Sequence, residues 1–578
     1  MKIVLSTLNA KYIHTNIAIR YLKSYAEPEY SAELAEFTIK DPIMNIVSDL
    51  YKRKPDVLGF SCYIWNIEET IEVINMIKKV LPNVKVILGG PEVSYDVPYW
   101  LDRLENVDAI VLGEGEWTFK EMLKRIDKEE TFADIPGVAY RNKDGKAVIQ
   151  AQTHKIDLRE LPSPFQFEED RASLSKRVTY IETSRGCPFR CQFCLSSIEV
   201  GVRYFDREKV KEDIRYLMKN GAKTIKFVDR TFNISRSYAM EMFQFLIDEH
   251  VPGTVFQFEI TADIMRPEVI NFLNENAPKG LFRFEIGVQS TNDHTNELVE
   301  RKQNWNKLVR TVTMVRDGGK IDQHLDLIAG LPEEPYDSFR KTFNDVFALG
   351  PEELQLGFLK LLRGTGLRIR SEQYGYTYMD RAPYEMLSNN VLTFDEIIAI
   401  KQVEDVLEKY WNAHRMDRTI AFLTNHVFDT PFDFFQSFGA YWEERGWERI
   451  GHQLEDLFLR LHSFLQETVP NQVKEIESYM ILDYVTTHRF KPRKPWWDPK
   501  LTKEDRSMIY KEILASVPSE LNQIEIPTTE RELFKHTLLE VVSFNNVEKV
   551  LYAQYNPSTG YADYALLSGS YLGKMPTS

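Results

Sequence analysis

Three of the four cysteines in this chain lie close together, in the segment Ser184-Arg185-Gly186-Cys187-Pro188-Phe189-Arg190-Cys191-Gln192-Phe193-Cys194. Three thiolates at spacings of four and three residues can bind three irons of one cubane cluster and leave the fourth iron open to another ligand. A structural zinc ion needs four protein ligands, and no histidine or fourth cysteine is nearby in the sequence. A redox pair would use Cys191 and Cys194 and leave Cys187 without a role. The spacing therefore favours an iron–sulfur cluster over zinc, a redox pair or three unligated thiols.

Glycines follow three strand-like runs near the N-terminus. The runs end in Gly59-Phe60-Ser61-Cys62-Tyr63, Leu88-Gly89-Gly90-Pro91-Glu92 and Val111-Leu112-Gly113-Glu114-Gly115. A glycine directly after a parallel strand lets the backbone approach a flat or phosphorylated ligand closely. Each glycine alone could serve only to ease a turn, but the three together predict a ligand site at one edge of a sheet.

The elements around these glycines alternate between strand and helix periodicity. Five short runs rich in Val, Ile and Leu occupy residues 3–8, 34–39, 56–61, 84–88 and 109–112. Between two of them, Ile67, Ile71, Ile74 and Ile77 recur at helical spacing. This alternation predicts a doubly wound parallel α/β sheet over residues 1–140, with ligands at the carboxyl ends of its strands.

The cysteine segment lies in a second alternating region. Residues 128–176 are rich in turn residues and predict a small hairpin and a linker, the linker being residues 141–175. The rhythm then resumes over residues 176–373, with strands predicted at 178–183, 224–228, 255–260, 281–287, 324–328 and 353–359. Six strand-plus-helix units predict a partial (β/α)6 barrel with its functional residues at the strand carboxyl ends.

The last 205 residues, 374–578, follow a different pattern. A capping box, Thr393-Phe394-Asp395-Glu396, precedes a long run of helically spaced apolar residues. The pattern predicts a mainly helical domain, with a hairpin near residues 550–562. Its role does not follow from the sequence. A basic and aromatic run at residues 491–497 is read as a solvated loop in preference to a base-stacking surface.

The composition excludes some classes of protein. With 578 residues, 43% of them hydrophobic, the chain predicts three or four packed domains. The formal net charge of −14 argues against general binding to nucleic acid or anionic membranes. No apolar run has the length of a membrane span or a signal peptide. We therefore expect a cytoplasmic protein.

The cysteine segment resembles the signature of the radical S-adenosylmethionine (SAM) superfamily, C-x-x-x-C-x-aromatic-C, with Phe193 before the last cysteine. The resemblance covers residues 176–373. It implies that Cys187, Cys191 and Cys194 hold a [4Fe–4S] cluster whose open iron chelates the amino and carboxylate groups of SAM. In that family, reduction of the cluster cleaves SAM to a 5′-deoxyadenosyl radical, and an external donor such as flavodoxin or ferredoxin supplies the electron.

The same resemblance implies further SAM-binding residues. Asp229 stands where the family has a Gly-Gly-Glu-like segment that meets the amino group of SAM. The strand Phe284-Glu285-Ile286-Gly287-Val288-Gln289-Ser290 is similar to the family's Glu-x-Gly-x-Gln-Ser strand, which implies that Glu285, Gly287, Gln289 and Ser290 lie near the ribose and methionine groups. Glu259 is a further candidate, although a glutamate at a strand end is equally often a structural ion-pair partner.

The N-terminal glycine segments, placed ahead of such a barrel, resemble the cobalamin-binding domain of B12-dependent radical SAM enzymes of the class B methyltransferase type. That domain buries the nucleotide tail of cobalamin along the strand edges. The resemblance implies that the binding residues are Ser61, Cys62, Gly89, Gly90, Pro91, Glu92, Gly113 and Glu114. Cys62 could instead be an inert core thiol.

The candidate cobalt ligand is His14, but its surroundings depart from the family pattern. Many cobalamin domains carry Asp-x-His-x-x-Gly in this loop, whereas this chain has Tyr12-Ile13-His14-Thr15-Asn16-Ile17. Because the partner carboxylate that normally orients a ligating histidine is missing, we expect a cobalt without a histidine ligand.

These resemblances imply an enzyme that transfers a methyl group to an unactivated centre of a small-molecule or peptide substrate. The alternatives are a B12-dependent radical rearrangement or cyclisation without methyl transfer, and a cobalamin- or redox-sensing protein. A methylthiotransferase is disfavoured, because a second cluster needs three more cysteines and only Cys62 remains.

Overall fold

The computed structural model describes residues 1–199 and 201–574, which form two compact units. The first unit comprises residues 1–352 and 356–394. The second comprises residues 353–355 and the described residues from 395 onward.

The first unit begins with a sheet of seven strands in the order β2-β1-β3-β4-β5-β6-β7. The strands are β1 (Ile3–Asn9), β2 (Ala32–Thr38), β3 (Val57–Ser61), β4 (Lys85–Gly89), β5 (Ala109–Val111), β6 (Val138–Arg141) and β7 (Ala147–Ile149). Strands β1 to β5 are parallel, whereas β6 and β7 form an antiparallel hairpin on the sheet edge. The predicted hairpin is confirmed, and it extends the sheet instead of standing apart from it.

Helices cover both faces of this sheet, as a doubly wound fold requires. They are α1 (Ile17–Ala26), α2 (Ile43–Arg53), α3 (Ile67–Val80), α4 (Val97–Arg103) and α5 (Glu116–Asp127). Apolar residues of α1 and α5 pack on one face, and those of α2, α3 and α4 pack on the other. Because alternate strand residues point to opposite faces, the strands are apolar on both. The strand order reverses between β1 and β3, which is where such folds bind ligands.

A second sheet of six strands follows, in the order β15-β14-β13-β12-β11-β8. Its strands are β8 (Val178–Ile181), β11 (Thr224–Phe227), β12 (Val255–Ile260), β13 (Phe282–Gln289), β14 (Asp322–Ala329) and β15 (Glu353–Phe358). Two short strands, β9 (Ser184–Arg185) and β10 (Arg203–Tyr204), pair beside the cysteine segment. The predicted partial barrel is confirmed.

One face of this barrel is apolar and the other is charged. On β13, residues Phe282, Phe284, Ile286 and Val288 are buried, while the alternate residues are half-buried. Helices cover the apolar face. The helices of this part of the chain are α6 (Glu168–Arg171), α7 (Arg207–Lys219), α8 (Arg236–Glu249), α9 (Pro267–Asn276), α10 (Asp293–Leu298), α11 (Trp305–Gly318), α12 (Tyr336–Phe347) and α13 (Gly366–Ile369). The short strands β16 (Thr377–Tyr378) and β17 (Met386–Ser388) follow. The alternate residues thus give the barrel a polar interior.

The second unit is mainly helical, as predicted. Its helices are α14 (Phe394–Tyr410), α15 (Asp417–Phe422), a π-helix (Leu423–Val427), α16 (Pro431–Glu444), α17 (Leu454–Thr468), α18 (Val473–Thr487), α19 (Lys503–Ala515) and α20 (Glu530–His536). The predicted hairpin corresponds to β19 (Val547–Tyr555) and β20 (Ala562–Leu567), and a further strand, β18 (Thr537–Phe544), pairs with β19.

The basic and aromatic run in this unit is partly packed, which corrects the solvated-loop interpretation. The indole of Trp497 is buried and donates a hydrogen bond to Glu540 at 2.8 Å. The Lys491 ammonium donates to the backbone oxygen of Phe534 at 2.6 Å.

Within the described residues, no helix combines the length and apolarity needed to cross a membrane.

Candidate cofactor sites

The larger cavity of the first unit, about 810 Å³, lies at the carboxyl edge of the first sheet. It extends between the sheet and helices α1 and α5, where Ile19 and Phe119 line it. Gly59 and Gly89 lie on the strand face that packs against these helices. A Cβ atom on Gly59 would lie 2.8 Å from the Leu5 side chain, whereas one on Gly89 would meet only Val111 at 3.7 Å, so the open space lies beside Gly89. The cavity therefore sits at the predicted strand edge and penetrates the core beside it.

Most of the predicted cobalamin residues line this cavity. Those that do are His14, Ser61, Gly89, Gly90, Pro91, Gly113 and Glu114. Cys62 and Glu92 are not in the lining. The Cys62 thiol lies fully buried in the core, and burial raises its pKa far above the ordinary value. The Glu92 carboxylate is also buried and accepts a hydrogen bond from the Tyr384 hydroxyl, and burial raises its pKa to about 7.

Several buried polar atoms in the lining have no hydrogen-bond partner among the described residues. They are Ser61 Oγ, Glu114 Oε2 and Glu116 Oε2. A buried acceptor without a partner costs about 1–3 kcal/mol. The cavity therefore fits a ligand with several hydrogen-bond donors and an apolar part that enters the core.

His14 lines the same cavity, but it makes hydrogen bonds with Tyr180 and Arg177 of the barrel region. Its Nδ1 atom is 2.7 Å from the Tyr180 hydroxyl, and its backbone oxygen accepts a hydrogen bond from Arg177. Burial, together with the positive charges of Lys11 and Lys226, lowers the pKa of the imidazole. These effects all favour the neutral form of the imidazole.

A smaller cavity of about 270 Å³ lies at the carboxyl end of the barrel. The predicted residues that line it are Cys187, Cys191, Phe193, Cys194, Glu259, Glu285, Gly287 and Gln289. No disulfide ties up the cysteines. Among the described residues, no three His, Cys, Asp or Glu side chains converge tightly enough to hold one metal ion. In a cubane cluster each of the three thiolates would bind a different iron.

The polar residues of β13 are fixed by close contacts. The Lys226 ammonium binds both carboxylate oxygens of Glu285, at 2.7 and 2.6 Å. A β-bulge lies between Gly287 and Gln289, and Gln289 has a φ of 69°. A Cβ atom on Gly287 would lie 2.5 Å from the Gln289 side chain. The glycine therefore makes room for an amide whose oxygen has no partner in the described residues.

Two predicted residues lie outside this lining. Asp229 is buried and accepts hydrogen bonds from the backbone and hydroxyl of Thr183 and from Ser184. Burial raises the pKa of Asp229 to about 6. Ser290 is also buried, and its hydroxyl donates to Glu334 at 2.6 Å. Asp229 thus fixes the end of β8, from which the cysteine loop departs, and Ser290 anchors the loop after β13.

Arg230 and Glu259 line both cavities, so the two cavities share a wall. Neither side chain makes a hydrogen bond or ion pair with another described residue. Burial raises the pKa of Glu259, and the charges of Arg230 and Lys226 oppose this rise. Arg230 was not predicted as a site residue, although it lies three residues after β11, at the strand end where a barrel carries functional residues. Glu182 and Arg185, which precede the cysteines and line the larger cavity, were not predicted either.

Family models match three successive parts of the chain. They are the B12 binding domain over residues 3–123, the radical SAM superfamily over residues 181–346 and a protein of unknown function (DUF4080) over residues 372–559. The chain therefore contains a B12 binding domain followed by a radical SAM domain. Both predicted resemblances are confirmed, and so is the predicted set of cofactors: cobalamin from the B12 binding domain, and SAM with its [4Fe–4S] cluster from the radical SAM domain.

Relatives of this radical SAM protein differ in the reactions their names describe. The chain is 25% identical over 398 residues to the cobalamin-dependent radical SAM methyltransferase TokK of Streptomyces tokunonensis, covering 63% of this chain and 56% of TokK. It is 25% identical over 322 residues to the anaerobic magnesium-protoporphyrin IX monomethyl ester cyclase of Rubrivivax gelatinosus, covering 54% of this chain and 56% of the cyclase. The chain thus spans about half the length of these curated relatives.

A solved structure supports the fold. The cobalamin-dependent SAM radical enzyme OxsB with aqua-cobalamin bound matches with a TM-score of 0.56 at 16% identity, covering 92% of this chain and 82% of OxsB. At this identity the likeness shows the fold alone.

The residues present fit these cofactors. Cobalamin carries amide groups that can donate to the partnerless oxygens of Ser61, Glu114 and Glu116, and a nucleotide tail that can enter the space beside Gly89. The assignment of individual residues to each cofactor stays a prediction.

Proposed function

We propose that this protein is an enzyme that uses cobalamin, a [4Fe–4S] cluster and SAM to transfer a methyl group to an unactivated carbon of a small molecule or peptide. The observation that carries this proposal is the wall shared by the two cavities, formed by Arg230 and Glu259. A substrate held there would face both cofactors at once, which a radical reaction that ends in group transfer requires.

Different residues of the chain would hold the cluster, orient SAM and orient the substrate. When bound, the cluster and SAM supply a carbon-centred radical and cobalamin supplies a methyl group. Cys187, Cys191 and Cys194 would hold the cluster. Glu285, kept in place by Lys226, would orient SAM through hydrogen bonds to its hydroxyl groups. Arg230 and Glu259, which are free of internal partners, would orient the substrate.

The name of one relative favours a second candidate function. The Rubrivivax gelatinosus relative is named as a cyclase. The second candidate function is therefore a radical rearrangement or cyclisation without methyl transfer. In that case the same wall would hold a substrate that receives no methyl group from cobalamin.

Labelled SAM distinguishes these candidates. Reduced, reconstituted protein would be incubated with methyl-deuterated SAM and metabolite extract from a deletion strain. A methyltransferase makes 5′-deoxyadenosine, S-adenosylhomocysteine and a deuterated product, whereas a cyclase makes 5′-deoxyadenosine without S-adenosylhomocysteine. The variant with Cys187, Cys191 and Cys194 replaced by alanine is the control for cluster-independent SAM breakdown. Absence of 5′-deoxyadenosine from the wild-type reaction would overturn both enzyme proposals and favour a sensing protein.

We further propose a cytoplasmic location and an external electron donor such as flavodoxin or ferredoxin, because three unpaired thiols suit a reducing compartment. The division into residues 1–140, 141–175, 176–373 and 374–578 is part of this proposal.

A further inference from the structure

Arg185 begins the cluster loop, two residues before Cys187. It lies on β9, where its backbone pairs with Arg203 of β10. This short ladder holds the two ends of the cysteine segment together. The position of Arg185 therefore influences where the cluster loop begins.

The Arg185 side chain contacts three carboxylates. Its guanidinium lies 2.6 Å from Glu116, 2.9 Å from Glu182 and 3.7 Å from Glu114. Glu114 and Glu116 belong to the β5 edge of the first sheet, whereas Glu182 follows β8 of the barrel. Arg203 also contacts Glu114. One guanidinium thus joins the cluster loop, the barrel and the cobalamin-domain edge.

Because the contact between Arg185 and its carboxylates is buried, breaking it costs free energy. The Arg185 side chain is 14% exposed and the Glu116 side chain is 6% exposed. The guanidinium also lies 5.3 Å from the ring centre of Tyr21 on α1. Removing one member of a buried ion pair leaves an uncompensated charge, so the partners hold one another in place. The same carboxylates line the larger cavity, and Glu114 and Glu116 each keep one oxygen without a partner there.

We propose that Arg185 is a positioning residue that couples cobalamin binding to the order of the cluster loop. The inference rests on the proposed function, because it assumes that cobalamin contacts Glu114 and Glu116. A ligand that fixes these carboxylates also fixes Arg185 and with it the start of the loop. By linkage, a loop held by its cluster then tightens cobalamin binding by the same factor.

The test is the affinity of the full chain for hydroxocobalamin, measured by equilibrium dialysis with and without the cluster. The cluster-free form is the variant with Cys187, Cys191 and Cys194 replaced by alanine. In wild type we expect the cluster to tighten binding about five- to tenfold. In Arg185→Met we expect weaker binding and a ratio near one. Arg185→Lys, which keeps the charge but not the fork, should restore part of the ratio.

Two further variants separate coupling from a general loss of stability. Arg215→Met removes a guanidinium that pairs with Glu249 between α7 and α8, and neither residue lines a cavity, so the ratio should stay at the wild-type value. Glu116→Gln weakens the contact from the other side and replaces Arg185→Met if that variant does not fold. As the reciprocal readout, hydroxocobalamin should slow the loss of iron to a chelator in wild type but not in Arg185→Met.

A wild-type ratio near one, or an unchanged ratio in Arg185→Met, would overturn this inference and leave the proposed function standing. Failure of wild type to bind hydroxocobalamin at all would overturn the proposed function together with it.

Discussion

The polar side chains that line the two cavities divide into those already paired within the protein and those without a partner. Glu285 is held by Lys226, and His14 by Tyr180. Arg230 and Glu259 make no such contact with the described residues. Glu259 is half-buried, where a charge without a partner is costly unless a ligand supplies one, whereas Arg230 is exposed and its guanidinium is accessible to a ligand. The unpaired groups are therefore the ones we assign to substrate, and the paired ones are positioned in advance.

The cysteines give the first prediction at this scale. Replacing Cys187, Cys191 or Cys194 with alanine should abolish cluster assembly, because each thiolate binds its own iron. Iron content after anaerobic reconstitution measures this loss. Cys62→Ala should retain the wild-type iron content and lower the free energy of unfolding by about 1 kcal/mol, since its thiol lies in the core. Full iron loading of the triple variant would refute the assignment.

His14 gives a second prediction. Because the Nδ1 atom of His14 meets the neutral Tyr180 hydroxyl, where the family pattern places a carboxylate partner, we expect no nitrogen superhyperfine splitting in the Co(II) electron paramagnetic resonance spectrum. His14→Ala should leave that spectrum unchanged. Splitting in wild type that disappears in His14→Ala would establish histidine ligation instead.

The raised pKa of Glu92 predicts that the stability of the folded protein depends on pH. Burial raises its pKa from 4.5 to about 7, so the folded state binds a proton more tightly than the unfolded state. Its contribution to stability is therefore fully present below pH 4.5 and falls as the pH rises towards 7. Glu92→Gln should keep the contact with Tyr384 and remove this loss, which is at most about 3 kcal/mol. Denaturant unfolding at pH 5 and pH 8 measures it, and equal pH dependence in both proteins would contradict the prediction.

At the scale of elements, the βα alternation predicted both sheets because parallel strands buried on two faces leave a strong apolar signal. The glycine segments predicted the edge of the larger cavity, because each of them follows a strand directly in the sequence. The sequence did not reveal β18, whose residues are buried on both faces with no alternation to mark a strand. It also did not reveal the contact of Arg185 with Glu116, because residues far apart in sequence meet only through packing.

Adjacent glycines of β4 and its loop should respond differently to substitution. Gly90 has a φ of 106°, and a Cβ there would lie 2.5 Å from the backbone oxygen of Cys62. Gly90→Val should therefore destabilise the fold, whatever its effect on cobalamin. At Gly89 a Cβ would meet only Val111 at 3.7 Å, in an unstrained backbone.

Gly89→Leu should accordingly place a side chain in the cavity and weaken hydroxocobalamin binding at least tenfold, while the melting temperature and iron content stay near wild type. Thermal unfolding and equilibrium dialysis of the two variants test this contrast. Wild-type cobalamin affinity in Gly89→Leu would show that the tail does not enter this space.

At the scale of the molecule, the first unit brings two cavities together that the sequence places on separate βα regions. Their shared wall at Arg230 and Glu259 could not be predicted, because it depends on how the two sheets pack. The central claim is that one chain binds a cluster and cobalamin on the two sides of this wall.

The most direct measurement of that claim is the cofactor content of anaerobically reconstituted full-length protein after gel filtration, by iron analysis and cobalamin absorbance. We predict about four irons and about one cobalamin in the same monodisperse chain, since three thiolates hold one cubane. Protein that holds the irons but loses all cobalamin on gel filtration would contradict the account.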